Sequence, residues 1–197
     1  MPESPPSPVS EPLPVEFASA AGPVREAVTK LGGQPVWLEE PQWPLSRRTG
    51  EPLQFLGQFT LEGGALGYLF MAGDDTDGTF DPEGGENALL VQPGGRVPGF
   101  VSVRAQAEGP TAGADHLPRP AGKGGTDPDG HAWQFLGGPG IEPRWLQGEE
   151  PPGDGWHLLV QLDSGRLPFH VDFGDSGVGY AFTSPDSKEG RFLWQCM

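Results

Sequence analysis

Two glutamines stand where apolar side chains are expected: Gln58 in F-L-G-Q-F and Gln161 in L-L-V-Q-L. A buried amide brings one oxygen and two N–H donors that all need partners. Each glutamine therefore either pins a neighbouring loop backbone or holds a ligand in a cleft. The chain's two tyrosines, Tyr68 and Tyr180, both follow a glycine inside an apolar run, A-L-G-Y-L-F and G-V-G-Y-A-F. A glycine there lets another backbone or a ligand come close, and a buried phenol needs a hydrogen-bond partner. Asp172 and Asp175 lie in D-F-G-D-S-G. Paired carboxylates do acid–base work when their separation suits it, and the same spacing also suits an Asx-type turn. Gln58, Gln161, Tyr68, Tyr180, Asp172 and Asp175 are the ligand or cleft candidates.

The densest acidic stretch holds Asp74, Asp75, Asp77, Asp81, Glu83 and Glu86. Counted from Asp75, the spacing of Asp77 and Glu86 matches an EF-hand loop, but Thr79 replaces a ligand and the glycine is misplaced. Asp75, Asp77 and Asp81 are instead candidates for binding a partner. His116, His131, His157 and His170 have no H-E-x-x-H or C-x-x-C company. Cys196, beside the C-terminus, suits a small apolar packing role. A-G-K-G-G-T (121–126) lacks the spacing of a phosphate loop. No metal and no cofactor are expected.

The elements that position these residues form a unit present twice. Leu31-Gly32-Gly33, Pro35-Val36-Trp37-Leu38, Gln58, Gly67-Tyr68 and Gln92 are answered by Leu136-Gly137-Gly138, Pro143-Arg144-Trp145-Leu146, Gln161, Gly179-Tyr180 and Gln195. Strands are expected over 53–61, 66–71, 88–92 and 100–106, then over 156–163, 179–183 and 192–196. In the first of these, alternation puts Leu53, Phe55 and Phe59 on one face and Leu56 and Gln58 on the other. In the second copy it puts Leu158 with Val160 and Leu162, opposite Gln161. Pro23 at a first helical position, apolar residues at 24, 27, 28 and 31, and Gly32 as a stop predict one N-terminal helix. The expected class is α+β, mainly antiparallel β, internally duplicated about a pseudo-twofold. A Pro/Ser-rich arm (1–14) is expected to be disordered. One domain (15–197) follows, with repeats at about 31–107 and 131–197 joined by a Gly/Pro-rich linker, 108–130. Trp37, Trp43 and Trp145, beside prolines, would cap the core ends or form a binding rim.

The 12 Lys and Arg against 27 Asp and Glu leave a net charge of −15, which repels phosphate backbones and anionic membranes. A single cysteine excludes an internal disulfide and fits a reducing cytoplasm. No apolar run approaches the roughly 20 residues that span a bilayer.

K-L-G-G-x-P (30–35), F-L-G-Q-F, L-L-V-Q-L-D-S (158–164) and F-G-D-S-G-V-G-Y-A-F (173–182), in this order, resemble the YwqG-like family, bacterial proteins classed as a domain of unknown function. The likeness runs from about Val24 to the C-terminus. It implies an α+β fold with antiparallel sheet, and no established activity or catalytic set. The favoured reading is a non-catalytic cytoplasmic binding protein for a basic protein partner, in an immunity-like role. The alternative is a hydrolase-like enzyme built from Asp172, Asp175 and His157 or His170. A pocket between the halves with carboxylate and imidazole groups would discriminate between them.

Overall fold

The computed structural model describes residues 10–73 and 76–197. In chain order the strands are β1 (Val15–Ser19), β2 (Lys30–Leu31), β3 (Trp43–Leu45), β4 (Gln54–Thr60), β5 (Leu66–Met71), β6 (Asn87–Gln92), β7 (Ser102–Arg104), β8 (His116–Pro120), β9 (Phe135–Leu136), β10 (His157–Asp163), β11 (Val178–Thr183) and β12 (Gly190–Gln195). They form a six-stranded sheet, β1-β8-β2-β4-β5-β6, a four-stranded sheet, β12-β11-β10-β9, and a small pair, β3-β7. Every pairing within these sheets is antiparallel.

The expected α+β class gives way to a nearly all-β structure. Among the described residues the only helical pieces are 3-10 turns at Glu62–Gly64 and Ser164–Arg166. The N-terminal helix is absent, and residues 22–29 form bends and irregular backbone. Side chains from elsewhere take the carbonyls that a helix would use itself. Lys30 Nζ donates to Val24 O, and Gln58 Nε2 donates to Val28 O at 2.9 Å and Glu26 O at 3.5 Å. The apolar positions also cover barely two turns, too few for a helix to persist on its own.

Three apolar layers make the core. Between the two large sheets, Leu56, Phe59, Leu69 and Leu89 meet Val160, Leu162, Ala181 and Phe192. On the outer face of the first sheet, Phe55, Tyr68 and Phe70 lie under Trp37, Leu38 and Trp43. On the outer face of the second, Leu158, Tyr180 and Phe182 lie under Trp133, Trp145 and Leu146. β5, β6 and β11 are consequently buried at every residue and read as nearly continuous apolar runs.

The expected strand phases are corrected at one point in each sheet. Register shifts between Phe55 and Gly57 on β4, and between Leu158 and Val160 on β10. The extra residue of a bulge reverses the alternation beyond it. Phe55 therefore shares the outer face with Gln58 instead of with Phe59, and Leu158 shares it with Gln161 instead of with Val160.

The edges of the large sheets meet. β6 abuts β12, where a Cβ on Gly190 would collide with Leu89 O, so only glycine fits. At the other side Val15 N–H donates to Gln134 O at 3.0 Å, and Pro14 bridges to Phe135. Such contacts cover strand edges that would otherwise pair with other chains. The segment 108–130, read as a linker, instead supplies β8 to the interior of the six-stranded sheet, between β1 and β2. Its strand H-L-P-R-P is mostly exposed, so it lacks the apolar alternation that marks a strand. Of the expected arm, residues 1–9 lie outside the described residues. Ser10 N–H donates to Gly140 O.

Candidate functional site

The glutamine and tyrosine candidates form two matching backbone clamps. Gln58 Oε1 accepts from Val36 N at 2.9 Å, and Gln161 Oε1 accepts from Arg144 N at 2.8 Å. Tyr68 hydroxyl donates to Val36 O and accepts from Leu38 N, and Tyr180 hydroxyl donates to Arg144 O and accepts from Leu146 N. Gln92 and Gln195 complete the two clamps. The side-chain oxygen of each accepts from two successive N–H groups, those of Leu38 and Glu39 in the first clamp and of Leu146 and Gln147 in the second. Their amide nitrogens donate to Glu40 O at 2.9 Å and to Gly148 O at 2.7 Å.

Trp37 and Trp145 lie over the two tyrosines, with ring centroids 4.9 and 4.6 Å away. Burial pushes both phenols up to about 12. These amides and hydroxyls are used up by backbone, so neither clamp offers its groups to a ligand. The glycine before each tyrosine makes room for side chains: Gly67 faces Leu159, and Gly179 faces Phe192 and Phe173.

Asp172 and Asp175 form a turn. Asp172 Oδ1 accepts from Gly174 N at 2.8 Å, and Asp175 is exposed. His157 pairs with Thr183 at one end of β10, while Asp163, at the other end, pairs with Val178 just beyond that turn. Six strand steps of about 3.3 Å put His157 roughly 20 Å from the aspartates. The hydrolase arrangement of His157 with Asp172 or Asp175 is therefore not assembled.

Asp74 and Asp75 lie outside the described residues. Asp77, with its side chain 97% exposed, and Asp81, also exposed, flank Phe80, which is 54% exposed and packs edge-on against Trp194. The base of this loop is fixed. Asn87 Nδ2 donates to Thr79 O and Asp81 O, and buried Glu86 accepts from Ser46 Oγ and Arg48 N. Trp194 Nε1 donates to Thr79 Oγ1 at 3.1 Å, and Arg191 pairs with Glu83 at 3.3 Å. Among the described residues, Asp127, Asp129 and His131 are the one group compact enough to suggest a cation. The Asp127 oxygens are already occupied by the Asp129 and His131 N–H groups and by Trp133 Nε1. The His131 N–H foremost, then Trp133, holds its carboxyl below the usual carboxylate range.

Two features have no signal in the sequence. Lys30, fully buried, donates to Val24 O, Gln34 O and the Asp115 carboxylate, which lies 85 residues away. A cleft of about 440 Å³ opens between the large sheets, lined by Glu62, His157, Thr183 and Ser187 over Phe59 and Leu159. The cleft does set a carboxylate and an imidazole between the halves, as the enzyme reading requires, but with Glu62 accompanying His157 in place of Asp172 and Asp175, and none of the six ligand candidates lines it.

No protein-family model matches this chain, and no curated protein matches it. The likeness to YwqG-like proteins rests on the quoted motifs themselves.

Proposed function

We propose that this chain is a non-catalytic binding protein that engages a basic protein, in an immunity-like manner, through the acidic loop around Phe80. The observation that carries the reading is an exposed aromatic flanked by exposed carboxylates on a loop with a fixed base. A rigid aromatic contributes contact area at little entropic cost, and surrounding charge raises the association rate for a partner of opposite sign. The net charge of −15 acts in the same direction. The relation to YwqG-like proteins is part of the same proposal.

Affinity capture from the native host, purification of the captured protein and association kinetics across salt test it. Attraction of this kind is screened over about 8 Å at physiological ionic strength. The expected partner is basic, and its association slows steeply with salt while dissociation changes little. Joint Asp77→Asn and Asp81→Asn substitution reproduces the slowing at low salt, and Phe80→Ala speeds dissociation. An association rate indifferent to both salt and these substitutions removes the loop from the interface.

A further inference from the structure

The cleft between the large sheets is where their shared core stops short. His157 and Thr183 are direct cross-strand partners, so their side chains project from the same face. Thr183 is 3% exposed, yet among the described residues its hydroxyl has no hydrogen-bond partner. The hydroxyl oxygen is not fully enclosed, so it opens toward the cleft and can bond a ligand there. The His157 imidazole and Glu62 carboxylate, on opposite walls, are likewise without a hydrogen bond or ion pair among the described residues. Ser187, on the rim, holds a left-handed φ of 56°, an uncommon conformation for a residue other than glycine.

We infer that this cleft binds a small neutral polyhydroxylated molecule of monosaccharide size. Its volume of about 440 Å³ suits such a ligand. Hydroxyl and imidazole groups both donate and accept, while Glu62 accepts, which matches a ring of hydroxyls. Half-buried Leu159 offers apolar surface to the ligand's C–H faces. Among the described residues no Lys or Arg lines the cleft, so with Glu62 on its wall it disfavours phosphorylated or carboxylated ligands.

Saturation-transfer NMR on the full chain with D-glucose, N-acetyl-D-glucosamine and myo-inositol tests the inference, with glucose 6-phosphate as the anionic counterpart. At least one neutral probe is expected to bind, with glucose 6-phosphate weaker than glucose. Thr183→Val, which keeps the shape, should weaken binding about fivefold, the loss of one neutral hydrogen bond. Ser187→Ala, at the rim, provides a second variant should Thr183→Val fail to fold. Absence of binding by all three neutral probes, equal binding of the phosphate, or undiminished binding in the folded variants overturns the inference.

Discussion

Replacing Lys30 by methionine removes one charge while nearly preserving shape. Lys30 is fully buried and the Asp115 side chain is 9% exposed, so the substitution leaves a carboxylate almost without water and without its cation. It also strips donors from Val24 O and Gln34 O. Removing one partner of a buried pair costs about 3–5 kcal/mol. For a chain of this size, each 1 kcal/mol shifts the melting temperature by roughly 2–4 °C, so a fall of about 6–20 °C is expected. Urea denaturation of wild type, Lys30→Met, Asp115→Asn and the double variant completes the cycle. The double variant should lose less than the sum of the single losses, because no uncompensated charge remains. A loss under about 1 kcal/mol in Lys30→Met, or strict additivity, refutes the reasoning.

Gln161→Leu leaves Arg144 N and Trp133 O without their partner and should cost roughly 1–3 kcal/mol, measured by the same denaturation. Gln58→Leu should cost a similar amount, and a much smaller loss in either would mean that water replaces the amide. The two phenols, pushed up to about 12, stay neutral in the folded state after unfolded tyrosine begins to ionise near 10. Their contribution to stability is therefore whole below pH 10 and lost as pH rises toward 12. Denaturant midpoints measured through that window should fall, and Tyr68→Phe with Tyr180→Phe should flatten the decline.

The longer strands β4, β5, β6, β10, β11 and β12, the paired motifs and the buried glutamines follow from residues close together in the chain, whereas the short strands β1, β2, β3 and β9 do not. Gln58 and Gln161 interrupt apolar runs, and an amide in that setting has to be hydrogen-bonded wherever the chain places it. What those amides hold is decided by packing: the loops over each sheet present free N–H and C=O groups at the height of the side chain. The bulge at β4 is marked only by Gly57 and the one at β10 by no residue type, yet they determine which face each later side chain takes. The helix expected near Pro23 loses to bonds from Lys30 and Gln58, residues whose reach over its carbonyls exists only after β4 is in place. β8 joins the sheet through backbone bonds, which do not depend on apolar alternation and so leave no pattern. Lys30 and Asp115, and the walls of the inter-sheet cleft, come from distant parts of the chain. Only tertiary structure brings such groups together, because local sequence constrains neighbours and faces but not which distant surfaces share a buried space.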